Sequence, residues 1–307
     1  MPAAVRDVVA LGNAQQQSGV NASVARASTS RNLGGRVVSL LRTVVPLDWR
    51  KRAAVWVGRQ ARIPNRHWHA ANLVRDLGET DPDAYHRFLW SNHLAYAQSY
   101  EPEKRFGPSN IRPERHLLFQ NLREFLGVEV ADRDIRSMLE VGCSLGHLLQ
   151  YVESQVFPTA RVLEGLDIDE YAVRKGNLWL KARGSRARLI AADMAAMDAV
   201  LETDKVYDVV LCAGVLMYLR EEQAACVVQS MLRRAGRLLV LSGLAHPHQD
   251  NSKLVRSEPR ARDGAFIHNL DAMVTRAGGS ILFRRWDALA APGCNTPYFL
   301  FCSRQRT

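Results

Sequence analysis

The chain has 307 residues, 47% hydrophobic and 23% charged, enough for a full core in one domain with an extension. No run approaches the length of an apolar spanning helix, and the apolar residues 8–11 are followed at once by Gly12, Asn13 and three glutamines, too short for a secretory signal. The net charge of +10 comes entirely from residues 1–75, where twelve Arg and Lys face only Asp7 and Asp48, while the other 232 residues balance.

Residues 1–34, rich in Ala, Ser, Asn, Gln and Gly without hydrophobic periodicity, are expected to form a disordered tail. Residues 35–112 read as a basic helical extension and lid, and residues 113–307 as the main domain. In the extension, Val37, Val38, Leu40, Leu41, Val44 and Val45 form an apolar segment stopped by Pro46. Asp48 can cap a helix carrying Trp49, Ala53 and Trp56 on one face. Residues 36–75 are a candidate contact for an anionic membrane surface or for RNA, and packing on the main domain or in a homodimer is the plainer reading. The corresponding location is the cytoplasm, with peripheral membrane attachment as the variant.

Thr80-Asp81-Pro82-Asp83 is a helix start, predicting a helix to about Tyr100 that carries Phe88, Leu89, Tyr96 and Tyr100. Pro113 opens another amphipathic helix, which Gly127 should end. Strands and helices then alternate: strands over 137–141, 161–168, 188–192, 206–212 and 237–242, helices over 145–154, 171–182, 221–234 and 271–277, and a closing strand pair over 280–285 and 298–302. This predicts a doubly wound, mostly parallel seven-stranded α/β sheet of Rossmann-like type, preceded by the helical lid.

Five widely spaced cysteines without a C-x-x-C pair suit a reducing compartment and neither a disulfide framework nor zinc. The pairs His67/His69 and His246/His248 lack ligand partners at metal-site spacing, so no metal is expected.

The segment from Met138 through Glu140, Val141, Gly142, Cys143, Ser144 and Leu145 to Gly146 is a buried strand, a turn of small residues and a helix start. Such a turn lets backbone approach a ligand closely. Neither a phosphate-binding G-x-x-x-x-G-K-(S/T) loop nor G-x-G-x-x-G is present, because Ser144 and His147 occupy glycine positions. Glu140 can accept from an ammonium group and would repel a pyrophosphate. Asp167, at the second strand tip, can take both hydroxyls of a ribose, and Asp169 is placed to cap the following helix.

These motifs resemble those of class I S-adenosylmethionine-dependent methyltransferases. Motif I, (D/E)-x-G-x-G-x-G, is matched with Ser144 at the middle glycine, and Tyr207-Asp208-Val209-Val210 is similar to the family's fourth strand. The resemblance covers about residues 113–303 and implies S-adenosyl-L-methionine as cofactor, held by Glu140, Gly142, Ser144, Gly146 and Asp167, by Asp193 and Met194 at the adenine, and with Cys212 on the fourth strand. It implies methyl transfer to a small-molecule, sugar or lipid-linked acceptor at oxygen or nitrogen. An RNA acceptor, a non-catalytic cofactor-binding scaffold and a dinucleotide oxidoreductase are the alternatives. Where many relatives carry a histidine after the fourth strand, this chain has Met217-Tyr218, so the base candidates are His246 and His248, then His268, with Tyr218 lining the acceptor pocket. Tyr96, Tyr100 and Arg115 are the candidate lid residues.

Overall fold

The computed structural model describes residues 44–60, 62–95, 102–260, 264–287 and 298–304. The apolar residues 37–41, the lid candidates Tyr96 and Tyr100, and Cys294 lie outside them. The chain divides into two compact units between Val74 and Arg75, so the expected domain start at residue 113 falls inside the second.

In the first unit, α1 (Leu47–Arg59) packs on α2 (Arg66–Leu73) through small residues, with Ala54, Gly58 and Ala70 buried. Pro46 rather than Asp48 precedes the helix, because proline's fixed φ already suits a helix start and Asp48 falls in the first turn. The Arg50 side chain is buried, donating to the carbonyls of Val45 and Leu73 at 3.0 Å. Trp49, Trp56 and Trp68 are each more than 60% exposed.

The second unit opens with α3 (Arg75–Thr80) and α4 (Pro82–Ser91), whose Asp81 cap accepts from Ala84 N as the sequence predicts. The helix ends at Ser91 and not near Tyr100, since His93 turns to φ +57°. After α5 (Pro113–Leu126), Gly127 takes a positive φ and a short α6 (Val128–Arg133) follows, which the sequence did not signal.

The sheet comprises β1 (Ser137–Val141), β2 (Val162–Asp167), β3 (Ala187–Ala191), β4 (Tyr207–Ala213), β5 (Ala235–Ser242), β8 (Gly279–Trp286) and β9 (Tyr298–Arg304), in the order β3-β2-β1-β4-β5-β9-β8. The first five run parallel and β9 lies antiparallel between β5 and β8. A small hairpin of β6 (Glu258–Pro259) and β7 (Phe266–Ile267) lies outside the expected strand set.

Strand alternation distributes side chains to two layers. Met138, Val209, Leu211, Phe299 and Phe301 face one core with α5, α7 (His147–Tyr151) and α8 (Glu170–Ala182). Leu139, Val141, Val210, Cys212 and Leu300 face the other with the short α9 (Met197–Val200), α10 (Glu221–Arg234) and α11 (Leu270–Arg276). This is the doubly wound sheet that the alternating pattern predicts.

The antiparallel strand β9 is fastened by Tyr298, whose buried hydroxyl donates to Asp271 Oδ2 at 2.7 Å and accepts from Leu270 N at 3.0 Å. Tyr298→Phe should cost about 1–3 kcal/mol of unfolding free energy by denaturant titration, because it strands both partners at the start of α11.

Candidate functional site

The C-terminal tips of the parallel strands open into a cleft of about 700 Å³, where ligands bind in open α/β sheets. Its floor is the turn after β1. Gly142 N and Cys143 N both donate to Leu166 O, at 2.7 and 3.1 Å, and Gly146 N closes the turn on Cys143 O at 2.8 Å. Gly142 and Gly146 have φ of +82° and +76°, and a Cβ at Gly142 would overlap the Val215 side chain. Ser144 holds φ +51°, a left-handed geometry that costs a residue with a Cβ about 1–2 kcal/mol.

Asp167 binds this turn to β2. Its Oδ2 accepts from Ser144 N at 2.7 Å and its Oδ1 from Asp169 N at 2.9 Å. Each oxygen keeps a further lone pair, so the carboxylate can still accept two hydroxyls. Burial is the largest influence on it and pushes its pKa up to about 6. As predicted, Asp169 caps α8, accepting from Ala172 N at 3.0 Å.

Glu140 lies one strand away, with its side chain buried and its Oε2 without a hydrogen-bond partner. Burial raises its pKa well above the usual carboxylate value, while Arg115 pulls the other way. From the first turn of α5, Arg115 reaches over two strand tips to Ala213 O at 2.8 Å and Ser242 Oγ at 3.2 Å. An orphaned carboxylate oxygen beside an anchored guanidinium suits a zwitterionic amino-acid end, and the Asp167 carboxylate suits a sugar diol.

The adenine candidates stand at the β3 tip, where Met194 lines the cleft. Asp193 caps the next turn through Ala195 N at 2.9 Å, and its Oδ2 is ion-paired with Arg87 of α4. Cys212 corrects an expectation. It alternates with Leu211 into the second core, is 0% exposed among Val141, Val210 and Leu241, and does not line the cleft.

The base candidates are also relocated. His246 Nδ1 accepts from His248 N and Gln249 N, both at 3.1 Å, and its Nε2 faces Glu258 at 3.3 Å, so the imidazole holds a turn. His248 is exposed, and neither ring lines the cleft. His268 is buried between Ser257 Oγ at 2.7 Å and Leu216 O at 3.0 Å, its pKa lowered chiefly by burial, and it fastens the segment after β4. Tyr218 does line the cleft, its ring 5.0 Å from His86 and 5.2 Å from Trp90.

The sequence predicts α4 as a helix but not the residues it turns to the cleft. Asp83, His86, Arg87 and Trp90, spaced i, i+3, i+4, i+7, all line the cleft, and that spacing of polar residues was the available signal. Arg220 holds the helix start, with Nε 3.2 Å from Asp83 and a terminal nitrogen 3.0 Å from Asp81. Among the described residues no group of His, Cys, Asp and Glu could hold a metal, and no helix is long and apolar enough to cross a membrane.

Residues 138–236 match the family model described as a methyltransferase domain. Among solved structures, magnesium protoporphyrin IX methyltransferase (ChlM) from Synechocystis PCC 6803 is similar at 20% identity, covering 73% of this chain and 100% of that one, with a TM-score of 0.52. The N-methyltransferase NodS from Bradyrhizobium japonicum WM9 is 18% identical, covers 64% of this chain and 89% of its own, and reaches a TM-score of 0.46. No curated protein matches. The chain has the class I S-adenosylmethionine-dependent methyltransferase fold. The matched residues run from β1 to the start of β5 and include the glycine turn and Asp167.

Gly142→Ala should destabilise the protein by about 2–4 kcal/mol, through overlap and positive φ together. In a Val215→Ala background the same change should cost only about 1–2 kcal/mol, the backbone part alone, in a double-mutant cycle of thermal denaturation.

Proposed function

We propose that the protein transfers a methyl group from S-adenosyl-L-methionine to a small-molecule acceptor. The observation that carries this reading is the pair of carboxylates at adjacent strand tips, Glu140 with an unsatisfied oxygen and Asp167 with spare lone pairs, facing one cleft across a glycine turn. The sulfonium supplies an activated methyl group for in-line displacement. Glu140 accepts from the ammonium group, Arg115 faces the carboxylate, Asp167 takes the ribose and Met194 packs on the adenine, with Gly142, Ser144 and Gly146 giving the close backbone wall. Since displacement needs positioning and exclusion of water, α4 contributes by closing the cleft with Trp90 against Tyr218. For an acceptor hydroxyl, His86 is the base we favour, because it lines the cleft where His246 and His248 do not.

The first unit supports peripheral attachment to anionic lipid. Trp49 and Trp56 are exposed on one face of α1 with Arg52 stacked over Trp49, and residues 44–74 hold six Arg and Lys against Asp48 alone. Aromatic rings at headgroup level among cations fit an interface better than a purely electrostatic RNA contact.

Calorimetry should find S-adenosylmethionine and S-adenosylhomocysteine bound and NADH not bound. Because burial raises the Asp167 carboxyl to about 6, its protonation competes with the ribose below that pH. Affinity should fall by up to about tenfold per unit as the pH drops below about 6. Asp167→Asn should bind about 10–100-fold more weakly and show a smaller acid-side fall, and Glu140→Gln should also weaken binding and reduce that fall, since burial raises both carboxyls. NADH binding alone would replace this reading with an oxidoreductase.

The full chain should co-sediment with phosphatidylserine vesicles and not with phosphatidylcholine alone, and the triple change Trp49→Ala, Trp56→Ala, Trp68→Ala should abolish it. Retention of RNA with no vesicle binding would overturn the lipid assignment.

A further inference from the structure

Three guanidiniums converge on one wall of the cleft from two turns of chain. Arg105 follows the turn Pro102–Lys104, Arg112 precedes α5, and Arg115 lies in the first turn of α5. His147 lines the same cleft at the start of α7, and its Nδ1 is buried without a hydrogen-bond partner. Burial, then Arg105, Arg115 and Arg112, pushes the imidazole pKa down to about 3, and no carboxylate acts on it to offset them. The ring is therefore neutral at pH 7 and surrounded by positive potential.

Arg115 is committed to Ala213 O and Ser242 Oγ and faces Glu140. Arg105, which has other partners as well, and Arg112 line the cleft beyond it together with the carboxylate of Glu114, with Leu148 and Phe299 adding apolar surface. Like charges gathered around a desolvated polar atom are unfavourable by themselves, and an anion seated among them reverses the sign of the interaction.

We propose that the methyl acceptor carries an anionic oxygen group, a carboxylate or a phosphate, which docks against Arg105 and Arg112 and takes a hydrogen bond from the His147 ring. This inference rests on the methyltransferase reading and adds the substrate class to it. Guanidinium forks match either oxyanion bidentately, and the neutral His147 reads the remaining oxygen. The anion also offsets the sulfonium charge that the acceptor must approach.

The test titrates the full chain, saturated with S-adenosylhomocysteine so that the cofactor's own carboxylate is already seated, with benzoate, phenyl phosphate and neutral benzamide. At least one anion should bind about tenfold or more tightly than benzamide, and whichever does so identifies the oxyanion. Arg112→Ala and Arg105→Gln should each remove about tenfold of that affinity and leave S-adenosylhomocysteine binding unchanged. The His147 ring proton signal should titrate at higher pH when the anion is present. Equal binding of benzamide and both anions would overturn the proposal, as would an Arg112→Ala variant that loses S-adenosylhomocysteine affinity while anion binding stays intact. Failure of S-adenosylhomocysteine to bind at all counts against the cofactor assignment instead, and the anion titration then runs on the free protein with the same criteria.

Discussion

One carboxylate holds the strand tips together. By accepting from Ser144 N and Asp169 N, Asp167 fixes the turn after β1 and the entry to α8. The turn has little freedom left, since Gly142 N and Cys143 N share the Leu166 carbonyl and three of its residues have positive φ. The cleft inherits its shape from that knot, because Glu140 enters it from one side and the α7 start, with His147, leaves it on the other. The same placement keeps an acidic group where water is scarce, so its ionisation is coupled to whatever fills the cleft.

The layered sheet was legible because its signals are local. Near-continuous apolar runs in Met138 to Val141 and Val209 to Cys212 state a strand buried on both faces, and successive residues then enter the two cores it separates. The glycine turn and the Asp169 cap were legible for the same reason, each resting on residues within four positions. Cys212 was misplaced although the information was present: it shares parity with Val210, which faces α10, and not with Leu211.

What escaped the sequence depends on contacts between distant segments. Nothing local to Asp193 announces Arg87, 106 residues earlier, and nothing near Arg115 announces Ala213 or Ser242. His246 has the composition of a catalytic loop residue, but its role follows from two backbone N–H groups that a tight turn aims at Nδ1. His147 entered the reading only as the residue that breaks a glycine pattern, since its surroundings of Arg105, Arg112 and Arg115 exist only after folding.

The ion pairs of α4 have a thermodynamic consequence. Arg87 holds Asp193, the group assigned to the adenine, while Arg220 holds Asp81 and Asp83. A ligand that claims Asp193 displaces an internal competitor, so its measured affinity is a difference between two associations with one carboxylate. Added salt then acts in two directions, weakening the ligand's charged contacts and also weakening the helix's hold on the same site. The net salt dependence of binding is set by the balance of the two.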